Sequence, residues 1–139
     1  MALHNVKKGL DLAITGQPRQ EIAAARPVTH VAIVADDYPS MKPRMDVQEG
    51  DTVLRGQLLF EDRKTPGVRF TAPGEGRVVR INRGARRALQ SVVIELSAAE
   101  QSGDADQIGH ATFSSYVDGS SADDLTREQV VALLVESGL

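Results

Sequence analysis

Cysteine is absent from all 139 residues. That excludes, within this chain, disulfides, cysteine-ligated iron–sulfur clusters, thiolate zinc sites and a thiol nucleophile. Tryptophan is also absent, and Phe and Tyr together make up only 4% of residues. The core is therefore expected to be aliphatic, built from Val, Ile and Leu. No apolar run approaches the roughly 20 residues that a membrane-spanning helix needs. The opening residues MALHNVKKGLDLAI lack the long apolar stretch and small-residue cleavage site of a secretory signal. There is no G-x-G-x-x-G and no Walker loop. His4, His30 and His110 lie far apart and lack metal-ligand spacing.

What is present is the balance of an ordinary globular protein, 41% hydrophobic and 25% charged. The net charge of −3 hides an asymmetry. Residues 1–96 hold 15 Lys+Arg and 11 Asp+Glu, whereas residues 97–139 hold one and eight. Such a switch marks a domain boundary or a tail.

Short strands dominate the first part. Leu10, Leu12 and Ile14 alternate with Asp11 and Ala13, which predicts a strand ended by the turn at Gly16-Gln17-Pro18. The β-branched run VTHVAIV (28–34) predicts a buried strand. Between residues 47 and 60, short apolar steps are separated by Gly50 and Gly56, where the chain must turn sharply. On the strand after Gly76, strict alternation puts Arg77, Val79 and Ile81 on one side and Val78 and Arg80 on the other. Asn82-Arg83-Gly84-Ala85 reads as a hairpin turn with Gly84 left-handed. Val92, Ile94 and Leu96 complete the set. Many short strands between glycine turns predict a small sandwich or barrel over residues 47–96.

Residues 97–112 are small, polar and acidic and read as a linker. A helix follows. Thr126 is its N-cap, Gln129 completes a capping box, Leu125 and Val130 form a hydrophobic staple, and Gly138 is the C-cap. Val130, Leu133 and Leu134 form its apolar stripe.

The pattern V-x-x-G-D-x-V-x-x-G-Q-x-L from residue 47, followed by A-P-x-x-G-x-V from residue 72, resembles the lipoyl/biotinyl carrier fold. The resemblance implies a mainly β barrel-sandwich hybrid. Carriers bear lipoate or biotin on an exposed hairpin lysine, and Lys64, within EDRKTPG (61–67), lies close to that place. Neither the biotin-type Met-Lys-Met nor a clear lipoyl-type Asp-Lys-Ala surrounds it, so an unmodified Lys64 is expected.

A wider match runs through KKGLDLAITGQP (7–18), ADDYPSMKPRMDVQEGD (35–51), GQLLFEDRKTPGVRFTAP (56–73), INRGARRALQSVVIE (81–95) and LTREQVVALLVESGL (125–139). Together these are similar to the N-terminal part of the A-subunit family of Na⁺-translocating NADH:quinone oxidoreductases. The C subunit of the Rnf electron-transport complex shares the sandwich but matches these segments less well. The resemblance implies a peripheral subunit on the cytoplasmic face of a bacterial inner-membrane complex. That complex uses NADH, flavins, iron–sulfur centres, ubiquinone and Na⁺, and the first three belong to other subunits. It also implies a longer subunit, in which 1–96 is the β-rich N-terminal region and 97–139 is a linker and helix opening a truncated Rossmann-like α/β domain. Other subunits are the implied partners, and no motif assigns a quinone contact.

No catalytic, cofactor or metal residues are assigned. The adjacent carboxylates Asp36-Asp37 and Glu61-Asp62 read as solvated turn charges. The remaining cluster is Arg77, Arg80, Arg83, Arg86 and Arg87, with no acid between them. It creates a positive field suited to an acidic partner subunit, lipid head groups or a nucleotide phosphate; pairing with the acidic tail is the plainer reading. Nucleic acid is excluded by the acidic net charge and the lack of interleaved aromatics.

Overall fold

A computed structural model of the chain describes residues 9, 15–17, 19–116, 119 and 121–139. His4 and most of the strand expected at residues 10–14 lie outside them.

Among the described residues, seven antiparallel strands form two facing sheets. One has the order β1 (His30–Val34), β7 (Leu89–Leu96), β6 (Gly76–Arg83), β3 (Thr52–Val53). The other has the order β2 (Pro43–Met45), β4 (Leu58–Asp62), β5 (Arg69–Thr71). The sandwich thus begins at β1, earlier than residue 47. β1 alternates half-buried Val31 and Ile33 with exposed neighbours. It is an edge strand on β7, not the fully buried strand its apolar run suggested.

Val53, Val78, Val92 and Ile94 face Leu59 and Phe60 across the core, all without solvent exposure. The core is not purely aliphatic. Phe60 stacks on Phe70 with ring centroids 4.6 Å apart, and Tyr38 meets Phe70 edge-on at 4.7 Å. With so few aromatics in the chain, three of them share one cluster.

Bulges interrupt both sheets, and the one on β6 explains why strict alternation misplaced its side chains. On β4, residues 58 and 60 oppose Thr71 and Phe70, leaving Leu59 as the extra residue. Leu59 and Phe60 are consequently both buried. On β6, Val78 opposes Ile94 while Arg80 opposes Val93, so Val79 is extra. The bulge reverses the phase of the strand. Val78 and Ile81 both pack on the core, whereas Arg77 and Arg80 are exposed.

The G-D and G-Q steps are two copies of one turn. Gly50 and Gly56 have φ of 100° and 82°, which an L side chain adopts only with strain. The residue after each glycine bonds back three positions. Asp51 Oδ2 accepts from the Gln48 N–H at 2.9 Å, and Gln57 Oε1 accepts from the Leu54 N–H at 3.0 Å.

Residues 97–112 are not a free linker. Ser97 caps a short helix, α1 (Ala98–Ser102), and Gly103 closes it in the left-handed region. Glu100, with its side chain only 7% exposed, receives Arg55 Nε at 2.9 Å and Arg55 Nη2 at 2.5 Å. It also accepts the Glu75 N–H at 2.7 Å. The Arg55 bonds hold the Glu100 carboxyl below the ordinary carboxylate range. Glu75 Oε2 accepts from Ser97 Oγ and the Gly109 N–H, and a parallel bridge joins Arg55 to His110. A charged clasp therefore ties this acidic segment to the sandwich.

The second helix, α2 (Arg127–Ser137), has the expected capping box and a left-handed Gly138. It leans on β5, where Thr71 Oγ1 donates to the Ser137 carbonyl at 3.0 Å. Val130, Val131, Leu134 and Val135 stay exposed.

Candidate functional site

β6 and β7 are joined by a five-residue connection over residues 84–88. The Gly84 N–H donates to the Ala88 carbonyl at 2.8 Å, and the Arg87 N–H donates to the Gly84 carbonyl at 3.1 Å. Gly84 is not the left-handed residue: its φ is −97°. A Cβ there would come within 2.8 Å of Gln90 Nε2, the far end of an exposed side chain that can swing aside. The left-handed residues are Arg86 (φ 54°) and Arg87 (φ 60°). For L-residues this conformation costs on the order of 1–2 kcal/mol each.

Opposite the hairpin runs the segment 35–42, which links β1 to β2. It opens with a single 3-10 turn holding Asp36 and Asp37. Ser40 takes a φ of 69°. The Lys42 N–H donates to Asp62 Oδ1 at 2.9 Å, and the Lys42 carbonyl accepts the Arg63 N–H at 2.9 Å. Between hairpin and segment lies an open cleft of about 710 Å³. Lys42, Arg63, Arg83, Arg86 and Arg87 line it against one carboxylate, Asp36.

The structure divides the five-arginine cluster. Arg83, Arg86 and Arg87 reach the cleft. Arg77 instead donates through Nε to the Gly50 carbonyl at 3.2 Å, and Arg80 borders a smaller depression beside His30 and Val93. Among the described residues, no carboxylate pairs with any of the five. Two of the tail's carboxylates are engaged elsewhere, Glu100 with Arg55 and Glu136 with Ser114 and Ser115. Lys42 and Arg63 escaped the sequence reading because they are distant in sequence from the arginine run.

Lys64 lies on the β4–β5 hairpin, beyond the 38–41 segment from the arginine cleft, where it borders a separate depression. Its N–H donates to Asp62 Oδ1 at 3.0 Å. The N–H groups of Lys42 and Lys64 lower the Asp62 carboxyl from its ordinary value. The adjacent pair Glu61-Asp62 is thus not merely solvated. Glu61 sits in β4 directly opposite Arg44 on β2 and Arg69 on β5, and bonds both. Asp62 pins the hairpin. Among the described residues, no group of three His, Asp or Glu side chains is placed to hold a metal. With no cysteine, the chain does not fit an iron–sulfur centre.

The two-sheet arrangement with its glycine corners matches a known domain family. Residues 4–97 fit the profile described as NqrA N-terminal barrel-sandwich hybrid domain. The chain belongs to that family. Among curated relatives, the A subunit of the Na(+)-translocating NADH-quinone reductase of Actinobacillus succinogenes is 51% identical over 134 residues, covering 96% of this chain. Those of Alcanivorax borkumensis and Vibrio anguillarum are 49% and 46% identical, with the same coverage. The chain spans 28% of the length of each of these relatives. Among the described residues, no helix is long and apolar enough to cross a membrane.

Proposed function

We propose that this chain is the N-terminal structural and docking domain of the A subunit in a sodium-pumping NADH:quinone reductase. The observation that carries the reading is 51% identity to such an A subunit, sustained across 96% of the chain. In this reading the sandwich is a rigid bracket. Residues 97–139 lead from it into a following α/β domain, and the Arg55–Glu100 clasp fixes the direction of that exit. The domain sits peripherally on the cytoplasmic face of the membrane. Its partners are the other subunits, which carry the NADH, flavin and iron–sulfur chemistry. The domain itself has no cysteine for an iron–sulfur centre and no dinucleotide fingerprint.

A domain swap tests this. The N-terminal segment of the A subunit from Actinobacillus succinogenes is replaced by this chain, and the complex is purified from cells lacking the native protein. The expected result is a complete complex that couples NADH oxidation to quinone reduction. A swapped subunit that folds but fails to join the complex refutes the reading.

A further inference from the structure

The arginine cleft has a feature that docking of the sandwich does not require. Among the described residues, three non-glycine positions have positive φ: Ser40, Arg86 and Arg87. All three line this one cleft, and they do so from opposite walls. Strained backbone persists where surrounding structure enforces it, and it gathers at ligand sites. Here it aims charge. Arg86 and Arg87 lie in a connection held by three backbone hydrogen bonds, and Arg83 Nη1 donates to the Arg87 carbonyl at 3.2 Å. Five cations converge with one carboxylate among them, and among the described residues no ion pair consumes the guanidinium groups.

Guanidinium forks match phosphate oxygens two at a time, which is why arginine clusters suit phosphate. The volume of about 710 Å³ suits a small molecule, not a flat protein contact. Tyr38, Met41 and Leu89 supply apolar surface beside the cations, so the pocket accommodates a charged head with a non-polar body.

We propose that this cleft binds a phosphate ester, with Arg83, Arg86 and Arg87 holding the phosphate group and the Tyr38–Met41 wall covering the attached organic group. The inference is independent of the docking role above. A nucleotide and a phospholipid headgroup both offer this chemistry, and the assay separates them.

ADP, inorganic pyrophosphate and adenosine are titrated calorimetrically into the 139-residue chain. Phosphatidylcholine vesicles with and without phosphatidate are tested by co-sedimentation. Either ADP and pyrophosphate bind with Kd below about 1 mM and adenosine does not, or only the phosphatidate vesicles bind. The first result makes the ligand a soluble phosphate, the second a lipid headgroup. In either case Arg83→Gln with Arg87→Gln weakens binding by about tenfold or more, as loss of charge-assisted bonds requires. Arg86→Gly, which removes the charge and also relaxes the backbone, weakens binding while the fold persists. Arg77→Gln with Arg80→Gln, outside the cleft, leaves binding unchanged. The proposal is overturned if no phosphate compound or phosphatidate vesicle binds. It is equally overturned if binding survives the Arg83/Arg87 pair, or if an acidic peptide binds where phosphate does not.

Discussion

Replacing Gly76 with alanine is the severest small change this fold allows. Gly76 opens β6, opposite Val53 on β3 and Leu96 on β7. A Cβ built there overlaps the Glu95 carbonyl oxygen and lies 2.9 Å from the Glu95 carbonyl carbon and 3.0 Å from Ile94 Cγ2. The first two are backbone atoms that no rotamer change can move. β6 and β7 must therefore part at the point where fully buried Val53, Val78 and Ile94 meet. Overpacking a core costs typically about 1–3 kcal/mol. Parting the strands adds roughly 1 kcal/mol for each ladder bond lost. The expected loss is about 3 kcal/mol, which moves a urea midpoint by roughly 2 M at a slope of about 1.5 kcal/mol/M. Far-UV circular dichroism is the readout, because the chain has no tryptophan. Gly50→Ala is the control. Its φ is 100°, but a Cβ there meets nothing closer than Arg77 Nη2 at 3.7 Å. Strain alone then costs about 1 kcal/mol. If Gly76→Ala proves no more costly than Gly50→Ala, the close approach of β6 to β7 is not what demands glycine at residue 76.

The contrast between those glycines shows where sequence reading succeeds. Gly50 and Gly56 announce themselves by a repeated spacing, and both have the positive φ that the spacing implied. The capping box at Thr126 was legible for the same reason: its bonds span three residues, and a helix end is a local event. Gly84 shows the opposite case. Its φ of −97° is open to any residue, while the left-handed residues are two arginines that carry no conformational signature. The bulges at Leu59 and Val79 were hidden because an extra residue is defined only against a partner strand. So were the clasp from Arg55 to Glu100, 45 residues apart, and the cations Lys42 and Arg63 in the cleft. The arginine run itself was plain in the sequence. Which of its members converge was not, since the β6 bulge and the hairpin conformation decide that, and both are set by tertiary pairing.

Four further outcomes are expected. Arg55→Met leaves the Glu100 carboxylate 7% exposed with one remaining donor from β-sandwich backbone, the Glu75 N–H. The loss is about 2 kcal/mol in urea unfolding, below the value for a fully buried pair because Arg55 is 41% exposed. Thr126→Ala removes the hydroxyl that accepts the Gln129 N–H and costs about 1 kcal/mol, read as faster amide exchange in the first turn of α2. Intact-mass measurement of chain made in cells competent for lipoylation and biotinylation gives the unmodified mass, since Arg63 and Thr65 flank Lys64 where carriers place other residues. The last outcome concerns pH. Glu136, near the end of α2, accepts four hydrogen bonds from the N–H and hydroxyl groups of Ser114 and Ser115. Led by the Ser115 hydroxyl, these lower its carboxyl from 4.5 to about 2. A carboxyl depressed in the folded state contributes stability that is fully present above its unfolded value and is lost as pH falls through the folded one. Attachment of residues 114–115 to α2 is therefore complete above about pH 4.5 and weakens toward pH 2. The Ser114 and Ser115 amide shifts, followed by NMR, titrate with a midpoint near 2. Glu136→Gln abolishes that titration, because an amide has no proton to gain in this range. A midpoint near 4.5 in the wild-type chain instead means that the four bonds do not hold the carboxylate in solution, and that α2 is anchored by its contact with β5 alone.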